Sequence, residues 1–156
     1  MYIHLSSYMS ASLPQLPCMC ASFRRAARAL TQHYAYALRP FGLHATQFTI
    51  LQALSIAGEV PQGQLGEILA LDTTTLTRTL AIMRRHRWIA ERRGQDRRER
   101  WIRLAKAGEL QLNRALPVWE KVQSHLQAEL GDKAWNYLFR ATTNLATIAT
   151  DKGDRL

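Results

Sequence analysis

The chain has 156 residues, 47% of them apolar, and a formal charge of +9. That length holds one domain with a real core, and the apolar content excludes a disordered chain. No run approaches the roughly 18 consecutive apolar residues of a spanning helix, which excludes a helical membrane protein, while the charge points to a polyanion as partner.

In chain order, the first 17 residues carry no Lys or Arg, so the positive n-region of a signal peptide is missing and a cytoplasmic location is expected. Their Ser, Pro and Met content reads as a flexible arm. Cys18 and Cys20 follow, separated only by Met19, and two cysteines do not make a disulfide framework. From Phe23 to Leu38 the pattern is helical, with Phe23, Ala26, Ala27, Leu30, Tyr34 and Leu38 at spacings of three and four. Arg39-Pro40-Phe41-Gly42 ends it, because proline disfavours helix in the residue before it and glycine admits positive φ. A second helix is expected from about Ala45 to Ser55, burying Phe48, Leu51 and Leu54. Pro61 suits the first turn of a third, which reaches about Leu69 with Leu65, Ile68 and Leu69 inward.

After a short turn, Asp72 is placed to cap a fourth helix by accepting from the amide near Thr75. Leu76, Leu80 and Met83 form its buried stripe. At about 100° per residue the opposite side carries Thr74, Arg78, Ala81 and Arg85. A core-facing helix with Thr and Arg outward has the chemistry to enter a DNA groove. Trp88–Arg92 and Arg100–Leu104 are short enough for strands, joined by a turn containing Gly94 and Asp96. Arg92, Arg93, Arg97, Arg98, Arg100 and Arg103 crowd into this hairpin against Asp96 and Glu99. So many guanidinium groups repel one another unless an anion offsets them, and nucleic acid is the expected anion, with a merely solvated charged hairpin as the plainer alternative.

A long helix is expected from about Lys106 to Leu130, kinked at Pro117, which removes one backbone hydrogen bond. Gly131 breaks the chain, Asp132 is placed to cap again, and a last helix runs to about Thr150 with Trp135, Leu138, Phe139, Leu145 and Ile148 as its stripe. The fold class is therefore mainly α with a small β-hairpin wing, a winged helix-turn-helix flanked by helices. The apolar stripes at both ends are wider than one small domain covers, so a helical dimer interface is preferred over core packing within the monomer.

Two segments carry a resemblance: Leu71-Asp72-x-x-Thr75-Leu76-Thr77-Arg78, and Asp96-Arg97-Arg98-x5-Leu104-Ala105-x2-Gly108. In this order, between flanking helices, the chain from about Phe23 to Thr150 resembles the MarR family (multiple antibiotic resistance regulators) of bacterial transcription factors. The resemblance implies a homodimer with intertwined terminal helices and two winged-helix lobes on a palindromic operator, with no cofactor. Residues 1–17 would be the arm, 18–42 and 106–150 the dimerisation region, and 43–105 the DNA-binding lobe. It puts the recognition helix, about Asp72 to His86, in a major groove and the wing, about Arg93 to Arg98, in the adjacent minor groove. The DNA-binding candidates are then Thr73, Thr74, Thr75, Thr77, Arg78, Arg93, Arg97 and Arg98.

The chemistry supports those roles independently. Arg78 has the fork that matches guanine O6 and N7, and threonine hydroxyls and methyls suit phosphates or thymine methyls. A narrow minor groove favours an inserted arginine. By the resemblance, either Arg97 or Arg98 braces Asp96 as a structural strut and the other enters the groove. Three residues depart from the family pattern: Arg87 stands where glycine is common, Ile82 where a polar residue is common, and His44 where Ser or Thr usually caps the second helix.

Members of this family respond to small aromatic acids, phenolics, antibiotics, metals or oxidants. Cys18-Met19-Cys20, at the start of a helix and followed by Arg24 and Arg25, is the sharpest local candidate, because helix N-termini and guanidinium groups favour thiolate. Three readings stay open for it: residues of an arm, an oxidant sensor, or half a zinc shell with no neighbouring ligand to complete it. No metal site is expected. A disulfide within Cys-x-Cys is strained, so a bridge would join subunits or follow sulfenic acid formation. His33, Tyr34, Tyr36, Phe41, His44 and Trp101 could line a pocket for an aromatic effector, against a plainer reading as core and interface packing. The function expected is a homodimeric, sequence-specific DNA-binding regulator, a repressor released by a small-molecule effector or by thiol oxidation. The competing classes are a thiol-dependent redox enzyme, for which no Cys-x-x-Cys or catalytic His-Asp arrangement appears, and a nonspecific nucleic-acid-binding module.

Overall fold

The computed structural model describes residues 13–96 and 98–150, and no helix among them is long and apolar enough to cross a membrane. The described residues up to His33 form one compact unit and those from Tyr34 a second. The expected arm lies mostly outside the described residues, as does the wing's Arg97.

Helix α1 (Met19–Leu38) begins four residues before the expected Phe23. A turn of 3-10 helix, Arg39–Phe41, ends at Gly42 with φ +65°, and α2 (Ala45–Ala57) follows. At its start the buried Gln47 carboxamide oxygen accepts from the His44 amide at 2.9 Å, the half of a capping box in which the third helical residue reaches back to the amide of the capping residue. Helices α3 (Gln62–Leu69) and α4 (Thr73–Arg85) form the helix-turn-helix. Strands β2 (Ile89–Arg93) and β3 (Arg100–Leu104) form the wing, and α5 (Lys106–Leu130) and α6 (Asp132–Thr150) complete the chain.

Four further details differ from expectation. Pro61 lies outside α3, in β1 (Val60–Pro61), which adds a third antiparallel strand by pairing Val60 with Ile102 and Pro61 with Trp101. Proline is tolerated there because β1 is an edge strand. Ile68 is 52% exposed, while Leu65 and Gly66 are buried and Leu69 is half-buried, so α3 turns a narrower face to the core. Strand β2 starts one residue late, with Trp88 before it. Finally, Asp132 is the first residue of α6, not the residue before it, and its Oδ1 accepts from Gln127 Nε2 at 2.8 Å.

The core gathers Phe48, Ile50, Leu51 and Leu54 of α2, Leu65 of α3, Leu76, Leu80 and Met83 of α4, Ile89 and Ile102 of the wing, and Leu112 and Ala115 of α5. The mainly helical winged-helix class holds. Helix α5 runs unbroken through Pro117. Gly108 near its start is buried, and a Cβ there would lie 2.1 Å from the Trp88 carbonyl oxygen. That carbonyl already accepts from the Ala105 amide at 3.0 Å, so the helix and the strand entry meet backbone to backbone. None of α6 is buried: Phe139 is 55% exposed and Ile148 73%.

Candidate nucleic-acid interface

Asp72 sits at the N-cap of α4 with extended backbone, and its Oδ1 accepts from the Thr75 amide at 2.8 Å. Its Oδ2 accepts from the Thr75 hydroxyl at 2.6 Å. These two bonds, the hydroxyl's first, hold the Asp72 carboxyl below its ordinary range. Burial of Leu76, Leu80 and Met83 turns Thr73, Thr74, Arg78 and Arg85 to solvent, with Ala81 half-buried between them. The threonines divide in role. Thr75 spends its hydroxyl proton on the cap, and the Thr77 hydroxyl oxygen accepts from Gln62 Nε2 of α3 at 3.1 Å, tying the two helices together. Thr73 and Thr74 are exposed. Arg78 is exposed and takes part in no ion pair among the described residues. Helix α4 is capped at its C-terminal end by His86, whose ring stacks on Trp88 with centroids 4.5 Å apart, and the chain turns through Arg87 at φ +57°. The residue that stands in for the family's glycine therefore does adopt the left-handed backbone.

In the wing, β2 and β3 pair Ile89 with Leu104, Glu91 with Ile102, Arg92 with Trp101 and Arg93 with Arg100. The turn closes with the Gly94 amide on the Glu99 carbonyl at 2.8 Å and the Glu99 amide on the Asp96 carbonyl at 3.0 Å. Asp96 Oδ1 accepts from the Arg98 backbone amide at 2.9 Å. Among the described residues, its brace is thus an Asx-type turn and not a guanidinium strut, which leaves the Arg98 side chain exposed at the tip. Arg97, the other candidate for the strut or the groove, lies outside the described residues.

The expected mutual repulsion of the wing arginines is partly offset inside the protein, at Arg92 and Arg100. Arg92 donates from Nε and Nη2 to Glu59 Oε2 at 2.9 and 2.7 Å, with its guanidinium 4.8 Å above the Trp101 ring. The Arg92 hydrogen bond, with a weaker attraction from Arg103, holds the Glu59 carboxyl below its usual range. Arg100 Nη1 donates to Glu91 Oε1 at 2.6 Å, and Arg84 of α4 donates to the other oxygen, Oε2. Glu59 and Glu91 were not among the acids that the sequence set against the arginines. Glu91 stands immediately before the basic run, and the alternation of β2, which puts it on the Arg93 face, is the signal that could have found it, whereas Glu59 lies 33 residues from Arg92 in sequence with no local pattern to point to it. Of the wing's described arginines, Arg93, Arg98 and Arg103 are exposed and form no ion pair among the described residues, Arg103 only attracting Glu59 at longer range.

The sensing candidates are spread out. Cys18 and Cys20 are exposed free thiols, Cys18 just before α1 and Cys20 in its first turn, where Arg24 Nη2 donates to Cys20 Sγ at 3.2 Å. His33 is exposed in the first unit. Tyr34 and Phe41 pack against the core of the second, and burial pushes the Tyr34 phenol up. Tyr36 is exposed beneath the Arg39 guanidinium, His44 is exposed at its cap, and Trp101 is covered by Arg92 on the wing. Among the described residues no group of three or more His, Cys, Asp or Glu side chains is placed to hold a metal.

The family model of the MarR family matches residues 41–99, the span from the end of the first helical segment through the wing turn. The chain is similar to the Mycobacterium tuberculosis transcriptional regulator MosR, solved in complex with DNA, at 39% identity over 85% of this chain and 96% of that one, with a TM-score of 0.77. It is also similar to YwoH of Bacillus subtilis, an uncharacterised HTH-type transcriptional regulator, at 29% identity over 74% of this chain and 87% of that one. A mutant of Escherichia coli MarR, solved with operator DNA, shares the fold at 17% identity, covering 81% of this chain and 91% of that one with a TM-score of 0.73. The exposed Thr-Arg face of a capped second helix, the basic wing beside it and these likenesses lead to one conclusion: the chain belongs to the MarR family of DNA-binding transcriptional regulators and is a regulator, not an enzyme.

Proposed function

We propose that this regulator acts in the cytoplasm as a homodimer that reads a palindromic operator and represses from it, with an effector controlling release. One observation carries the DNA-reading part. The side of α4 opposite its buried Leu76, Leu80 and Met83 presents Thr73, Thr74 and Arg78 in the open, with nothing among the described residues pairing Arg78. That face would lie in a major groove, Arg78 reading guanine and the threonines meeting phosphate or thymine methyl. Arg93 and Arg98 would supply the wing's contacts to the neighbouring minor groove. Dimerisation would use the uncovered stripe of α6, with residues 18–42 and 106–150 as the interface region and 43–105 as the reading lobe. Two recognition helices on one face of B-DNA must stand about 34 Å apart, so an effector that changes their spacing weakens binding.

The test is a fluorescence titration with Arg78→Ala, using a duplex that the wild-type protein enriches from a randomised pool and a scrambled duplex of equal length. A lost guanine fork should cut discrimination by about 10- to 100-fold while nonspecific binding persists. Unchanged discrimination would remove Arg78 from the reading set.

Oxidant control has its own support in the two exposed thiols and the Arg24 donor at Cys20. Peroxide would oxidise one thiolate to sulfenic acid and be reduced to water. A second thiol would then condense with that sulfenic acid, releasing a second water and leaving a disulfide. Mild peroxide should weaken operator binding, dithiothreitol should restore it, and a Cys18→Ser, Cys20→Ser variant should be indifferent. Wild-type binding that ignores peroxide would retire the cysteines to structural roles and direct the search to small aromatic effectors.

A further inference from the structure

Glu91 occupies a junction that the DNA-reading scheme does not use. It lies on β2 opposite Ile102, on the same face of the hairpin as Arg93 and its partner Arg100. One carboxylate oxygen takes Arg100 of β3 at 2.6 Å, and the other takes Arg84 from the last turn of α4. The Glu91 side chain is 17% exposed, against 36% for Arg84 and 53% for Arg100. The acid is thus sunk between two bases whose outer edges remain in solvent. Each guanidinium has five N–H donors, and a single-oxygen contact to Glu91 leaves most of them unused. One negative charge between two positive ones also leaves the cluster net positive.

We propose that Glu91 is a positioning residue that joins the recognition helix to the wing and presents Arg84 and Arg100 to the DNA phosphates running between the two grooves. The inference rests on the DNA-binding reading above and deepens it by assigning a backbone clamp distinct from the base-reading Arg78. An arginine is costly to order because its side chain is long, and a carboxylate that fixes the guanidinium beforehand lowers that cost at binding. Arg84 belongs to the helix and Arg100 to the hairpin, so their shared anchor also sets the angle between the element in the major groove and the element in the minor groove. Without that anchor, the directly opposed Arg93 and Arg100 would repel each other and splay the hairpin.

Glu91→Gln separates positioning from simple charge. Removing a negative charge from a DNA-binding protein strengthens its hold on any duplex through counterion release. If Glu91 only neutralises arginines, the variant binds both the enriched and the scrambled duplex more tightly. If it positions them, the variant binds the enriched duplex about tenfold more weakly and the scrambled duplex equally or more tightly, so the ratio collapses. The second measurement is a double-mutant cycle on the enriched duplex with Arg84→Ala. Positioning requires that Arg84→Ala weakens binding in the wild-type background and does little in the Glu91→Gln background. Independent effects, or a ratio unchanged in Glu91→Gln with only a lower Tm, overturn the proposal and leave Glu91 a structural ion pair. Should the wild-type protein enrich no duplex at all, the underlying reading fails instead, and that result is visible before any variant is made.

Discussion

Gly108 is the position where a single atom decides most. A methyl group added there would meet the Trp88 carbonyl oxygen at 2.1 Å, and that neighbour is backbone, which cannot swing aside. Gly108→Ala should therefore destabilise the protein by about 2 kcal/mol or more, read as a lower urea midpoint with unchanged slope; a midpoint within error of wild type would show that α5 shifts freely. Asp72 gives a residue-scale prediction with a pH signature. Its carboxyl is held below the ordinary value by the Thr75 hydroxyl and amide, so the folded state binds that proton less readily than the unfolded chain. The stabilisation is then fully present above the unfolded pKa of about 4 and is lost as pH falls through the lower folded value. Asp72→Asn keeps a competent cap without the charge. The Tm advantage of wild type over this variant should be largest near neutrality and shrink below about pH 4. An advantage that grew in acid would reverse the assignment.

At the scale of elements, the wing shows how a cluster of equal charges becomes unequal in role. Arg92 is bound by Glu59 and covers Trp101, whereas Arg93, next in sequence, points from the opposite face of the strand and is exposed without an ion pair among the described residues. Alternation of side chains along a strand is the physical cause. Arg93→Ala should lower the slope of log affinity against log salt by about one, the signature of a lost phosphate contact. Arg92→Ala should leave the slope nearly unchanged and lower Tm, because its charge is already neutralised by Glu59. Equal slope changes in the two variants would show that the Glu59 pair opens on DNA. The same element shows where the sequence was silent: the hairpin and its two strands were legible from alternation and turn residues, but β1 was not. Two residues ending in proline carry no strand pattern, and only the edge of β3 makes them one.

For the whole molecule, the distribution of buried residues is uneven. The buried apolar side chains of α2, α3 and α4 gather in one core, while α6, as apolar on one side, buries none. An exposed stripe holding Leu138, Phe139, Leu145 and Ile148 suits an interface with a second copy. Paired Phe139→Asp and Ile148→Asp substitutions should therefore shift the sedimentation coefficient towards a single chain and weaken operator binding. The same pair should leave cooperative unfolding of the core of α2, α3, α4, the wing and α5 in place. A wild-type protein that sediments as one chain at micromolar concentration would refute the dimer.

The winged helix-turn-helix was determined by the sequence alone, because its signals are local: the apolar period of α4, the Asp72 cap three residues before its hydrogen-bond partner, and the glycine, proline and aspartate that punctuate each end. Local patterns are written in neighbouring residues, and these elements need little else. What the tertiary structure decided is which side chains are already occupied. Thr77 is tied to Gln62, Thr75 to Asp72, Arg92 to Glu59, and Arg84 and Arg100 to Glu91. Several of these partners are separated by a strand, a turn or a whole helix, and a hydrogen bond requires atoms within about 3 Å. Composition reports how many charges a chain carries. Only the packing of helix against hairpin sets which of them remain to meet DNA.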